Sequence, residues 1–400
     1  MRASGILMPI SSLPSEYGIG CFDECAFEFV DLLEKAGQKY WQILPLGHTS
    51  YGDSPYQSFS TFAGNPYFVS IKKLIEKGYI TKEECDEYDL VGHPEYVDYE
   101  KIYNGRYAIY RKAFANSNIT EDKDYQEFVK KNADWLEDYA LFMAVKAAYD
   151  GKSFIEWDDD IKLREPEAMA AYREKYKEEV DFYSFLQYEF YTQWDALKKY
   201  ANSKNVKLVG DIPIYVAYDS ADVWKNPELF LLDENLQPIK VAGCPPDAFS
   251  VDGQLWGNPL YTWEYHKKTG YAWWKKRIKA CIDLYDMVRM DHFRGFEEYY
   301  TIPFEHVNAR AGAWVKGPGI DLFNSLNEEF GDMDIIAEDL GFLTDTVRDL
   351  LKATGYPGMK ILQFGFGKGN DDSEYLPHNY PRNCVVYTGT HDNDSIKGWL

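Results

Sequence analysis

The sequence predicts an α/β fold, a (β/α)8 barrel of the TIM type with helical insertions, on three observations. Short apolar runs alternate with longer helical ones along most of the 400 residues. Charged residues recur where those apolar runs stop, and the alternation breaks over a charge-rich middle stretch. In a barrel of parallel strands the C-terminal strand ends converge on one mouth, so Asp211, Asp291, Glu338 and Asp392 would meet there although far apart in sequence. A doubly wound sheet does not gather strand ends so tightly. It would also want a phosphate loop, and the Gly-rich stretch GFGKGN from Gly365 lacks the required spacing.

Taken in order, GILMPI from Gly5 reads as a first strand. A helix with Ala26, Phe29, Val30 and Leu33 on one face follows, closed by Gly37, and YWQILPL from Tyr40 is a second strand. Between Lys72 and Val180 the segments are charge-rich, and WLEDYALFMAVKAAY places Trp135, Tyr139, Phe142, Met143 and Ala147 at helical spacing. This stretch is expected to be a mostly helical insertion. A long helix through Phe182, Phe185, Leu186, Phe190, Leu197 and Ala201 restores the rhythm. Buried strands are then expected in VKLVGDIPIYV, CIDLYDMVRMD, MDIIAEDLG, MKILQFGF and NCVVYTGTHD. The expected organisation is a first part of the barrel over 1–71, the insertion over 72–180, and the rest of the barrel over 181–400, with a substrate loop near 242–260. Seven strands are assigned in this way. An eighth has no sequence to form it, so the last strand is expected to be missing from this chain.

Composition narrows the function. With 45% hydrophobic and 17% aromatic residues the chain buries a large core, and a formal net charge of -22 repels phosphate backbones and anionic membrane surfaces. Neither nucleic acid nor membrane is expected as a partner; a neutral substrate fits best. The start, MRASGILMPISSLPSEYG, has too broken an apolar stretch for a signal segment, and no later run reaches the length of a membrane helix. Cys21, Cys25, Cys85, Cys244, Cys281 and Cys384 are scattered without paired metal-type spacing and read as reduced thiols in a cytoplasm.

The densest chemistry is VRMDHFRG from Val288, which places Arg289, Asp291, His292 and Arg294 at the end of an apolar run. A metal site could use His292, His391, Asp291 and Asp392, but no HExxH-type pair or Cys cluster supports it. A salt bridge closing a strand end explains any one such charge better than it explains four together. Glycoside chemistry uses them directly: one carboxylate attacks the anomeric carbon while a second, held protonated, gives its proton to the leaving oxygen. The aromatic content suits it, because sugar rings present apolar C–H faces that lie well on Trp, Tyr and Phe. Arg289 precedes Asp291 by two residues, so on a strand both face the same way and the cation would keep Asp291 ionised. Glu338 follows the apolar DIIA, where desolvation would raise its pKa. Asp339 would point to the opposite face and be structural, and Asp211 would orient the arginine.

VRMDHFRGF, IIAEDLG, TGTHDN and GDIPIYV resemble the four strand-end motifs of the α-amylase clan. SPYQSFSTFAGNPY and GCPPDAFSVDGQLWGNPLY resemble glycoside hydrolase family 77, the 4-α-glucanotransferases, over the whole length of the chain. The resemblance implies Asp291 as nucleophile, Glu338 as acid/base and Asp392 as the third carboxylate, holding sugar hydroxyls. It implies that His391 bonds hydroxyls in the donor subsite and that Arg289 belongs to the substrate-binding set. Tyr56, Phe249 and Trp256 would stack on glucose rings, the last two from a Pro-rich loop, while Ser54, Asp247 and Gln254 would supply hydrogen bonds. The expected partners are α-1,4-glucans and maltooligosaccharides, with glucose as an acceptor, and no metal or organic cofactor is expected. An α-glucan hydrolase on the same barrel and a non-catalytic glucan-binding protein are the alternatives.

Overall fold

The computed structural model describes residues 2–93, 95–246, 250–341, 343–366 and 373–400. It divides into two compact units, Met1–Leu208 with Val216–Gln237, and Val209–Tyr215 with Pro238–Leu400.

In the first unit, β1 (Gly5–Leu7) and β2 (Tyr40–Gln42) pair in parallel. The helix Glu24–Lys35 joins them. Asp23 starts it by accepting from the Cys25 N–H, Ala26, Val30 and Leu33 are its buried stripe, and Gly37 ends the turn beyond it with φ 71°. Phe29 of the same helix sets its ring edge against Trp41, centroids 4.9 Å apart. From Ile71 to Ser203 the described residues form helices and no strand. The helix Ala133–Ala148 departs from the expected single stripe: it is buried on almost every side, and Ala147 is exposed instead. The helix Lys177–Ser203 buries all six residues expected of it and also Gln187 and Gln193. These two amides serve loop backbone that would otherwise be unsatisfied. Gln187 accepts from Gly64 N at 2.7 Å and donates to Gly64 O at 2.9 Å, and Gln193 accepts from Ser70 N at 2.7 Å.

The second unit holds β3 (Lys207–Ile212) from Val209 onward, β4 (Lys240–Cys244), β5 (Gln254–Pro259), β6 (Met287–Met290), β7 (Glu298–Pro303), β8 (Ala313–Lys316), β9 (Ile335–Ala337), β10 (Gly358–Ile361) and β11 (Cys384–Tyr387). β3, β6 and β9 pair in parallel, as do β10 and β11. The helices Ala272–Leu284, Ile320–Phe330 and Asp345–Thr354 run between successive parallel strands. All seven expected strands are present, each shorter than its apolar run.

Two readings need correction. The run CIDLYDMV is not one strand: Cys281–Leu284 complete a helix whose buried residues Trp274, Arg277 and Ile278 recur at helical spacing, and the strand opens at Met287. The expected loop near 242–260 is strand at both ends, in the last residues of β4 and in β5, two strands of an antiparallel sheet ordered β5-β4-β7-β8. A register shift between Val241 and Gly243 and the clustered Gly and Pro residues hide its alternation from the sequence.

Gly210 in β3 is a close-approach glycine. A Cβ there would lie 2.2 Å from the ring of Tyr285, which is buried at the helix-to-strand turn. Gly210→Ala is expected to destabilise the protein by about 1–3 kcal/mol, as overpacking does. Urea denaturation of the two proteins measures this, and an unchanged midpoint would contradict the packing described.

Candidate active site

Strand register assembles the centre of the site. Parallel pairing of β3 with β6 sets Asp211 beside Arg289, and the two-residue period of β6 sets Asp291 on the Arg289 side. Arg289 Nη1 donates to both oxygens of Asp211, at 2.8 and 2.7 Å, and Nη2 lies 3.1 Å from Asp291 Oδ1. Arg289 is 4% exposed and the Asp211 side chain is fully buried, so this ion pair sits out of water. Asp211 does orient the arginine. Arg289 itself is engaged by carboxylates, which makes it a positioning group.

Backbone bonds fix the strand ends around this triad. Asp291 N–H donates to Ile212 O at 3.1 Å, Glu338 N–H to Met290 O at 3.0 Å, and Phe293 N–H to Glu338 O at 3.1 Å. Glu338 stands one residue past β9, and each carboxyl oxygen accepts a backbone N–H at 2.8 Å, Oε2 from His292 and Oε1 from Leu340. His292 adopts a left-handed backbone, φ 47°, at the turn that presents this N–H to Glu338. The neighbouring Asp339 is 4% exposed and accepts from Met359 N at 2.6 Å, the structural role expected of it.

Burial pushes the proton affinity of both carboxyls up. For Asp291, Arg289 opposes burial while Asp211 and Asp392 reinforce it; for Glu338, the Asp291 charge adds to burial, and Arg289 and the two N–H donors oppose it. Arg289 does favour the ionised form of Asp291, as expected of a cation there, but Asp211 shares that guanidinium and burial outweighs its pull. The Asp291 side chain keeps a quarter of its surface accessible, so water offsets part of the push. The pair favours one shared negative charge, with one proton held between its two carboxyls.

His391 Nε2 lies 3.2 Å from Asp392 Oδ1, and the Asp392 side chain is 71% exposed. Burial lowers the His391 pKa, with Asp392 and Asp211 pulling the other way. Asp392 in turn raises the proton affinity of Asp291. On β5, the Trp256 ring stands perpendicular to that of His292 with centroids 4.9 Å apart, and Trp256 Nε1 donates to Gln254 Oε1 at 3.0 Å. Both residues thus sit on a strand instead of the expected loop. Tyr215, which the sequence reading did not single out although it lies in GDIPIYV, has its ring 6.3 Å from Trp256. Asp247 and Phe249 lie outside the described residues. Ser54 and Tyr56 belong to the first unit, where Ser54 Oγ accepts from Tyr56 N at 3.3 Å and both are half-buried. Among the described residues no group of three or more His, Cys, Asp and Glu side chains is placed to hold a metal ion, so His292, His391, Asp291 and Asp392 do not form the ligand set considered as an alternative.

The raised pKa values have a stability consequence. A carboxyl with a folded pKa above its unfolded value penalises the fold as pH rises from the ordinary carboxylate range through the raised value, and the penalty is complete above it. Glu338→Gln removes that penalty. Its thermal midpoint relative to the unsubstituted protein is expected to be higher at about pH 9 than at about pH 5, and calorimetry showing a pH-independent difference would refute the assignment.

Residues 8–400 match the family model described as 4-alpha-glucanotransferase, glycoside hydrolase family 77. The chain is 54% identical to a 4-alpha-glucanotransferase of Clostridium butyricum, over 98% of its own length and 81% of that protein. It is 50% identical to one of Streptococcus pneumoniae, over 100% and 79%. Among solved structures, amylomaltase from Streptococcus agalactiae in complex with acarbose superposes with a TM-score of 0.97 at 46% identity, covering 100% of this chain and 81% of the other. That likeness establishes the (β/α)8-type fold class which the strand-end pattern predicts.

Proposed function

The chain belongs to glycoside hydrolase family 77, the 4-α-glucanotransferases, and from that premise we propose that its own residues carry transfer by a retaining double displacement. Asp291 attacks the anomeric carbon of an α-1,4-glucan as Glu338 delivers its proton to the leaving glycosidic oxygen, which departs as the 4-hydroxyl of the released chain. The glycosyl group is then an ester of Asp291. Glu338, now ionised, takes the proton from the 4-hydroxyl of an acceptor glucan or glucose, which attacks the same carbon and restores the α-linkage. The observation that carries this reading is the buried pair itself: Asp291 touches the one guanidinium that favours its charge, while burial and Asp291 favour the proton on Glu338.

His391 and the exposed Asp392 would take the hydroxyls of the donor sugar, and Trp256 and Gln254 would contact a glucose ring near His292. Ser54, Tyr56, Asp247 and Phe249 remain proposed glucan contacts on the strength of their sequence motifs. No metal or organic cofactor is needed, because two carboxylates supply nucleophile and proton. Scattered cysteines without metal-type spacing suit a reducing, cytoplasmic setting, and among the described residues no helix is long and apolar enough to cross a membrane.

Maltotriose is expected to give glucose with maltopentaose and longer chains at nearly constant total reducing ends. Reducing ends rising in step with glucose would favour a hydrolase, and no turnover at all would favour a binding protein.

Asp291→Asn should abolish turnover of every donor, including α-glucosyl fluoride, whose leaving group needs no proton. Glu338→Gln should still react with the fluoride and then stall as a glycosyl enzyme. Intact-protein mass spectrometry of Glu338→Gln should show one added glycosyl mass, mapped to the peptide containing Asp291. An adduct elsewhere, or an Asp291→Asn variant that turns over the fluoride with retention, would overturn the roles.

A further inference from the structure

Arg277 is a buried cation with an unusual set of partners. It projects from the helix Ala272–Leu284 and is 2% exposed. Its Nη1 donates to Ile214 O at 3.0 Å and to Tyr261 Oη at 3.1 Å, and its Nη2 donates to Pro213 O at 2.5 Å. Its guanidinium carbon lies 5.4 and 5.0 Å from the ring centroids of Trp273 and Trp274. Tyr261 completes the clamp, since its hydroxyl also donates to Ile214 O, at 2.8 Å. A guanidinium kept out of water to grip two successive carbonyls holds that backbone far more firmly than a neutral donor would.

The gripped residues immediately follow β3, and they lead to the nucleophile by two routes. Ile214 packs against the turn after Asp291: a Cβ on Gly295 would lie 2.7 Å from Ile214 Cδ1 and 3.0 Å from the His292 ring. Tyr215 stacks on Tyr261 with centroids 6.0 Å apart and planes at 20°, and on its other side reaches Trp256, whose ring meets His292 edge-on. Arg277 touches neither Asp291 nor Glu338 in any contact described above, so its effect must pass through this wall.

We propose that Arg277 is a positioning residue for acceptor selection: by fixing the carbonyls of Pro213 and Ile214 it holds the Tyr215–Trp256–His292 wall against which the incoming sugar docks in preference to water. The proposal rests on the transferase reading above and goes beyond it by naming what sets the fate of the glycosyl enzyme. A sugar needs the wall in place to present its 4-hydroxyl, whereas water needs no wall. Loosening the clamp therefore favours water over sugar at the second step.

The experiment measures partition per turnover, the ratio of glycosyl groups passed to sugar to those passed to water, with maltotriose as substrate. Partition does not depend on how much of a preparation is folded, which separates positioning from mere structural support. Arg277→Lys keeps the charge but cannot span both carbonyls and the phenol, and Tyr261→Phe removes one hydroxyl at constant shape. Both are expected to lower the transfer-to-hydrolysis ratio, by about three- to tenfold for Arg277→Lys and less for Tyr261→Phe, with acceptor KM raised more than total donor consumption falls. An unchanged ratio in both variants would overturn the proposal, as would a fall in total turnover with acceptor KM unaltered. Failure of the unsubstituted protein to transfer at all would instead overturn the proposed function.

Discussion

The contact on which the site depends is the buried guanidinium of Arg289, held between Asp211 and Asp291. Removing these charges from water costs several kcal/mol per ion, and their mutual attraction repays this only when geometry and hydrogen bonding are nearly complete. Here Asp211 accepts twice from one nitrogen and Asp291 faces the other. Such a triad tolerates no change of register. Sliding β6 by one residue against β3 would turn Arg289 to the other face and leave Asp211 buried without its cation, so the ion set and the strand pairing specify one another.

Asymmetry is what makes the arrangement useful. One guanidinium serves two carboxylates, so burial raises the proton affinity of Asp291 while Arg289, 3.1 Å away, opposes the rise. Glu338 takes its donors from main chain. The N–H groups of His292 and Leu340 belong to turns beyond strand ends, where the ladder no longer uses them, and they aim the carboxyl without bringing in another full positive charge. A lysine or arginine in their place would also orient Glu338, but it would favour the ionised carboxylate over the protonated acid that the proposed first step requires.

Much of this was legible in the sequence, for a geometric reason. The spacing of Arg289 and Asp291 becomes a shared face as soon as the run is recognised as a strand, and four carboxylates after four apolar runs suggest one mouth. What stayed hidden depends on contacts between distant segments. Cys281 to Leu284 look like strand because the helix they end is apolar at its own period and meets the next strand after a two-residue turn. β4 and β5 were hidden by their glycines and prolines, which is why Trp256 was expected on a loop. The rise in the Asp291 pKa could not be read either, because neither burial nor the division of Arg289 between two acids is written in the local sequence. Tyr215 ends a quoted motif without standing out in it and Arg277 lies in none; the part proposed for them rests on Ile214 O accepting from both Arg277 and Tyr261.

His292 shows why the wall beside the carboxylates is aromatic and neutral. Burial and the charge of Arg294 push its pKa down to about 3, so its ring stays uncharged wherever Asp291 and Glu338 exchange their single proton. An imidazolium there would be a second cation beside the pair, drawing the proton off Glu338 in competition with the leaving group. Trp256 packs edge-on against that ring and Tyr215 backs Trp256, so these rings form an apolar surface that adds no charge to the balance between the acids. The proposed chemistry thus has Arg289 in contact with Asp291 and, at the turn whose N–H holds Glu338, an imidazole that stays neutral.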